Sequence, residues 1–500
     1  MAGRSKAAGW FQPLGVFMRT GLCKACEMPR PALIAVAAML LSPAGMPSAR
    51  AQSGLPMPEQ GQAQAVLPGE AWAIDLVQAY ECMLLNDPRV HAARAARDAG
   101  LDAGNIARAA LLPQASINYL RNRTRQAERV AQTQAAGRLT VEDHFHGRRS
   151  GLSIKQTLFD YSAISTYRIG KTQAEHAEIQ YRLQFQQEAV ALIEAYLNAL
   201  LARDSLELVR HQLRIYEDML RGNERMMAQG EGTRIDILET RTQVSATRSE
   251  LVTYENALAD RLRELSARLG GPVQARQLLS IDLESALPPL QEGDLAALLA
   301  DALQQNPEVQ AARLAVRHNA LTVEREKGQS MPRVSLHASH DRIVSDTINN
   351  KGRDYKSNTI SLEVSIPLFS GGAGYYAARQ AGNRLAQARH ELDRTADSTA
   401  TLLEQYYRVC ATSAGRVRTL RQNVADSAGL VEAMHKSVAG GERSNTDALH
   451  AERQAHQARQ ELLRLYVEWF QGYARLQFHA GRFSEEDVLL LNRQLVADLR

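Results

Sequence analysis

Residues 84–100 read LLNDPRVHAARAARDAG and residues 303–319 read LQQNPEVQAARLAVRHN. Each stretch runs on to a second proline and an alternating segment, ALLPQASINYL at 110–120 and QSMPRVSLHAS at 329–339. Pro88 and Pro307 stand 219 positions apart, and so do Pro113 and Pro332. Beyond the alternating segments the offset falls to 210, where Leu158 and Phe159 match Leu368 and Phe369. It settles at 211, where Gly230, Asp236 and Leu238 match Gly441, Asp447 and Leu449. A register kept over this length marks an internal duplication, and the change of offset places the length difference between the two strands of a repeat.

The fold expected is mainly α with a small β part: two tandem repeats of helix, strand, strand, long helix and helix. Repeat 1 covers about 71–283, with helices about 71–111, 162–229 and 234–269 and strands about 114–122 and 150–159. Repeat 2 covers about 284–482, with helices about 294–330, 373–438 and 446–480 and strands about 333–341 and 358–369, and a C-terminal segment follows at 483–500. At about 1.5 Å per residue each long helix reaches roughly 100 Å, which two short helices stacked end to end would match. A seven-residue apolar seam, Phe185, Leu192, Ala199, Leu206, Leu213, Leu220 and Met227, coincides after a shift of 211 with Leu403, Cys410, Val417, Val424, Val431 and Val438. Such a seam suits knobs-into-holes packing, and it makes Cys410 a small core residue rather than a reactive thiol.

Residues 1–51 read as an export signal: a basic leader, the apolar run Pro31 to Leu41, and Ala49-Arg50-Ala51 as a cleavage site. Residues 52–70 are a Gln, Pro and Gly-rich lead-in. The leader holds six basic residues and one acid, a net of +5, so removing it takes the formal charge from +4 to −1. The basic balance of the whole chain therefore gives no reason to expect nucleic acid as a partner. Cys23 and Cys26 fall in the leader, and Cys82 and Cys410 lie on different helices, which leaves no disulfide framework.

In the strands Ala115, Ile117 and Tyr119 alternate with Ser116 and Asn118, and Ile360, Leu362 and Val364 alternate with Ser361, Glu363 and Ser365. Each run is near the length of a tilted membrane-crossing strand with one apolar face, a pattern that a soluble hairpin packed on a helix shares. Four strands cannot close a barrel, and an open edge is not tolerated in lipid, so strands that enter a membrane demand association of chains, two giving eight strands and three giving twelve. On this reading Lys155 and Glu363 sit on the polar, lumen-facing side, and Phe159 and Phe369 sit at the interface.

The repeated N-P and N-D-P, the L-P before the first strand, the L-F after the second, the G-x-x-x-x-x-D-x-L turns and the run GRFSEEDVLLLN at 481–492 together resemble the TolC family of outer-membrane efflux and secretion channels, from about Ala71 to Asn492. The resemblance implies a homotrimer with a twelve-stranded transmembrane barrel on a periplasmic α-helical barrel, in the outer membrane of a Gram-negative bacterium. It also implies a periplasmic adaptor and an inner-membrane transporter, ABC or proton-driven, as partners. The helical turns then form the periplasmic gate: Gly230 and Asp236 in the first, Gly441, Arg443 and Asp447 in the second. Two positions depart from the family pattern, His450 where a second Asp is expected and Val438 where a Tyr is expected. A ring of His450 side chains would respond to pH near neutrality, where a ring of aspartates would attract cations.

No constellation for catalysis or for a cofactor stands out. His144 and His146 have metal-like spacing but lack a neighbouring Cys or a spaced acid, and the glycines at 230–232 and 371–374 lack the Lys-Ser or Lys-Thr of a phosphate loop. The arginines of 121–150, read as a loop between strands, face the cell exterior, as solvated charge or opposite lipopolysaccharide phosphates. The function expected is a passive exit duct, with type I protein secretion ahead of small-molecule efflux because no cysteine follows the apolar export segment directly to carry a lipid and because the chain keeps the TolC-like C-terminal run. A soluble periplasmic coiled-coil scaffold is the alternative of a different class.

Overall fold

The computed structural model describes residues 73–130, 139–230, 232–279, 281, 283, 287, 295–345, 347, 350–440 and 442–495. The export segment, the whole lead-in and Gly441 lie outside the described residues. In chain order the elements are α1 (Leu76–Asn86), α2 (Pro88–Ala109), β1 (Gln114–Val130), β2 (Leu139–Phe159), α3 (Tyr161–Ala228), α4 (Arg234–Leu269), α5 (Leu295–Gln305), α6 (Pro307–Gly328), β3 (Arg333–Val344), β4 (Asp354–Ser365), α7 (Ala373–Ala439), α8 (Asn445–Ala480) and α9 (Glu485–Leu495).

The first helix of each repeat is broken where the sequence suggested one continuous rod. Pro88 and Pro307 lack the N–H that a helix interior needs, so each opens a new helix behind an N-cap. The caps are Asp87, whose side chain accepts from the Arg89 N–H, and Asn306, which accepts from Glu308 and Val309. These breaks receive the ends of α4 and α8. Asn86 donates to the Leu269 carbonyl at 3.1 Å, and Asn306 donates to the His479 carbonyl at 3.0 Å. Both helices end on a left-handed glycine, Gly270 (φ 76°) and Gly481 (φ 72°), and a Cβ there would come within 2.5 Å of Asn86 Cβ or 2.6 Å of Asn306 N. Glycine is needed twice over, for backbone conformation and for approach. The short helices α4 and α2, and likewise α8 and α6, are thus spliced into one column beside a long helix.

The sheet runs β1-β2-β3-β4, all antiparallel. The helices repeat that order: α2 and α4 pack on α3, α3 packs on α6 and α8, and these pack on α7. The result is a wall four elements wide, whose edges are β1 with its column α2/α4 and β4 with α7. Around its middle, α1, α5 and α9 pack to complete a core containing Trp469, Phe470, Tyr466 and Tyr196, each 1% exposed. Hydrogen bonds tie α3 and α9 to the start of α1: the Tyr196 hydroxyl donates to the Ile74 carbonyl at 2.9 Å, and Asn492 on α9 accepts from the Leu76 N–H and donates to Asp75. The seam is buried here, Leu192 and Ala199 at 0% and Cys410 at 2%, and frays toward the turn, where Met227 is 42% exposed. Burial pushes the Cys410 thiol up to about 12, so it stays protonated and inert.

Three strand spans, those of β1, β2 and β4, differ from expectation. Within the segment read as a loop at 121–150, the described residues 121–130 and 139–150 are strand: β1 and β2 stay in register from Gln114 opposite Lys155 to Val130 opposite Leu139. Apolar alternation ends near Leu120, but a ladder is held by backbone bonds, which arginines and glutamines make equally well. In the second repeat β4 begins at Asp354 and ends at Ser365, short of Phe369. Pro367 has no N–H to continue the ladder, and the chain turns into α7 through Gly371 and Gly372 at φ 62° and 84°.

Candidate functional site

The helical turns are built by two matching capping boxes. In the first, Thr233 caps α4, its hydroxyl accepting from the Asp236 N–H, while Asp236 Oδ2 accepts from the Thr233 N–H at 3.2 Å and hydroxyl at 2.5 Å. In the second, Ser444 caps α8, and Asp447 Oδ2 accepts from the Ser444 N–H at 3.2 Å and hydroxyl at 2.9 Å. The two aspartates singled out by the repeat are therefore third residues of capping boxes, where a carboxylate closes the helix start. The Ser444 hydroxyl holds the Asp447 carboxyl below the usual carboxylate range, helped by the Ser444 N–H, Arg443 and His450. Gly230 makes the first turn with φ 84°.

Arg443 is exposed beside this box, and His450 is exposed one turn into α8, where its Nδ1 lies 2.6 Å from an Arg453 guanidinium nitrogen. The structure thus brings Arg443, Asp447 and His450 together at one turn and keeps Asp236 at the other.

What joins the turns lies elsewhere. Thr240 on α4, 0% exposed, donates its hydroxyl to the Asp236 carbonyl at 2.8 Å and accepts from Asn223 at 2.9 Å and Asn445 at 3.0 Å. This uses the whole capacity of a hydroxyl, one donor and two acceptor positions. Beside it the Thr446 hydroxyl donates to Glu239 at 2.5 Å. Asn445 and Thr446 begin the second hairpin's returning helix, so these bonds tie one hairpin to the other. Just behind them, Tyr216, Val244 and Leu449 make a small apolar cluster, and His435 meets Glu452 at 2.8 Å. The hydrogen-bonding residues of this link, Thr240, Asn223, Asn445, Thr446 and Glu239, carry no mark in the sequence motifs. The signal was in the repeat itself: at the offset of 211, Thr240 faces Ala451 and Asn445 faces Arg234, so the link sits where the two copies diverge.

The strand wall has two unlike faces. Directly opposed residues share a face, so the rungs Gln114, Lys155, His337, Ser361 and Ser116, Ser153, Ser339, Thr359 are polar across all four strands. Glu363 stands on this side, 2.9 Å from His337 Nε2. The other side carries Ala115, Ile154, Ala338 and Ile360 on one rung, with Leu336 and Leu362 beside it. Ile117 and Ile360 are 82% and 80% exposed. Among the described residues no helix is long and apolar enough to cross a membrane. Nor is there a group of three or more His, Cys, Asp or Glu that could hold a metal ion; His144 and His146 stand on β2 opposite Arg125 and Arg123, cations that oppose another cation.

A family model described as "Outer membrane efflux protein" matches residues 79–271 and 298–482, one segment in each repeat. The alkaline protease secretion protein AprF of Pseudomonas aeruginosa is 33% identical over 86% of this chain and 89% of its own length. The proteases secretion protein PrtF of Dickeya chrysanthemi is 31% identical over 85% of this chain and 91% of its own. Among solved structures, the outer membrane protein VceC of Vibrio cholerae superposes with a TM-score of 0.69 at 16% identity, over 81% of this chain and 96% of that one, a likeness of fold. With a matching wall, a matching duplication and these relatives, the chain belongs to the outer membrane efflux protein family, that of TolC, and its place is the outer membrane of a Gram-negative cell.

Proposed function

We propose that three copies of this chain close their walls edge to edge into a passive exit duct, a twelve-stranded barrel in the outer membrane standing on a periplasmic helical barrel, and that the duct serves type I protein secretion. The observation that carries the duct is the wall itself. It has four elements in the same order in sheet and helices, two open edges, and an apolar outer sheet face. An open sheet edge is costly in lipid, and copies that supply the missing neighbour remove it. The protein cargo rests on AprF and PrtF, both named for protease secretion. Small-molecule efflux through the same architecture is the second reading, favoured by the family's description.

Transport through such a duct draws its energy from an inner-membrane transporter, coupled through a periplasmic adaptor at the helical turns. In this reading Gly230, Asp236, Gly441, Arg443, Asp447 and His450 form the periplasmic gate, and Lys155 and Glu363 line the lumen. The deciding experiment deletes the gene in its own host. Loss of one or a few large proteins from the medium with unchanged drug susceptibility supports secretion; drug sensitivity with an intact set of secreted proteins overturns it. In planar bilayers the purified protein conducts as a trimer, whereas a water-soluble monomer with no bilayer affinity removes the duct. Arg443→Ala raises resting conductance and His450→Asp raises cation selectivity; unchanged currents in both take these residues out of the gate.

A further inference from the structure

The outer face of the sheet changes character at a fixed height. Along β1 it reads Ala115, Ile117, Tyr119, Arg121, Arg123, Arg125, and the register with β2 has no shift along this length. Arg121 stands opposite Arg148, and the rung below continues from Tyr119 through Ser150 and Arg342 to Lys356. The same face that is apolar near the helices is therefore cationic near the hairpin end. The opposite face, polar at Gln114, Ser116 and Asn118, becomes mixed toward the hairpin end, where Leu120, Phe145 and Ile343, the last two 6% and 7% exposed, stand among Asn122 and Thr124. Of the described side chains on that opposite face of β1 and β2 beyond Leu120, Arg149 alone is cationic.

A slipped register would exchange the faces in this way, but the pairing is continuous, so the exchange lies in the sequence. A water-exposed ribbon has no reason to concentrate its cations on the face that is apolar lower down. A membrane boundary supplies one. From Val334 to Arg342 the strand rises roughly 25 Å at about 3.3 Å per residue, so after tilting the cationic rungs fall at the outer edge of the lipid, with Tyr119 at the level where aromatic side chains gather. Arg121, Arg123, Arg148, Arg342 and Lys356 are all exposed. The described carboxylate on these rungs is Asp354, and its oxygens are engaged by Arg342 at 2.9 and 3.2 Å. The cationic excess faces outward.

We propose that these rungs form a binding ladder for the phosphomonoester groups of an anionic glycolipid in the outer leaflet, fixing the depth of the barrel in the membrane. Arg121 and Arg148 stand directly opposite each other, which puts their Cβ atoms about 5 Å apart, so both guanidinium groups can reach one doubly charged phosphate, which draws them more strongly than the single charge of a phosphodiester. The proposal rests on the reading that the apolar face meets lipid.

The test measures how much lipid the full-length protein retains after release from phosphatidylethanolamine vesicles containing either diphosphorylated lipid A or the same lipid with its phosphates removed. The wild type is expected to retain at least about ten times more of the phosphorylated form. The triple variant Arg121→Gln, Arg123→Gln, Arg148→Gln loses that preference while still inserting and conducting, and Lys155→Gln on the opposite face keeps it. Inorganic phosphate at equal concentration does not displace the lipid. Equal retention of the two lipids by the wild type, in vesicles where it inserts and conducts, overturns the ladder and leaves the duct standing. Failure to insert in either vesicle overturns the membrane reading and the ladder with it.

Discussion

The middle of the wall and its turn end are held by different forces. At the middle, Trp469, Phe470, Tyr466 and Tyr196 are sealed among helices of both repeats. At the turns, the two hairpins meet through the Thr240 and Glu239 hydrogen bonds and a cluster of three buried residues. Large apolar burial costs several kcal/mol to undo, while a single hydrogen bond contributes about 1 kcal/mol net. The contrast teaches that the turns can part while the middle stays folded, which is what local opening requires.

Trp469→Ala challenges this contrast most strongly. It is expected to cost about 3–5 kcal/mol, seen as loss of the folded protein on denaturant titration, and a cost no larger than that of a turn substitution breaks the comparison. Acid comes next. Burial and then Arg475 push the His479 imidazole, stacked on Tyr406, down to about 4, and burial, Arg459 and His211 do the same to His456. The unfolded chain takes up these protons near the ordinary value of about 6.5, so the stability is complete above that pH and is lost as pH falls toward 4. The loss is up to about 3 kcal/mol for His479 and less for His456, which solvent screens more. Melting temperatures between pH 7.5 and 4.5 check it, with His479→Phe flattening the profile if the core histidine is responsible.

Smaller effects sharpen the other side. Thr240→Val leaves the Asn223 and Asn445 amides without their acceptor and should cost about 1–2 kcal/mol, read as higher resting conductance with little change in global melting. A large fall in melting temperature would place the turn within the cooperative core. Ser444→Ala removes one helix cap, about 1 kcal/mol, and shows as faster amide exchange confined to the start of α8. Protection lost equally around Trp469 would contradict that confinement.

Much of this was legible in the sequence because it is periodic. The duplication, the heptad seam through Leu192 and Cys410, and the alternation at Ile360 and Leu362 all repeat a pattern. The β1 and β2 extensions past Leu120 are not legible, because isolated apolar residues such as Phe145 make no continuous apolar face and the pairing lies in the backbone. The breaks at Asp87 and Asn306 were flagged by proline, yet what docks there, Gly270 and Gly481, depends on contacts across 183 and 173 positions. Asp236 and Asp447 were found by their repetition and turned out to be parts of capping boxes. Thr240 and Asn445 break the repetition, so symmetry does not mark them.

The glycine joints have a mechanical consequence. In each hairpin one limb is a single unbroken rod and the other is two struts meeting at a butt joint, with no shared backbone across the gap. Such a joint bears compression but transmits little torsion, so twist applied at the far end of α4 or α8 dissipates there instead of reaching α2 or α6. Twist from below therefore has a direct path to the strands through the unbroken rods α3 and α7, and not through the jointed limbs.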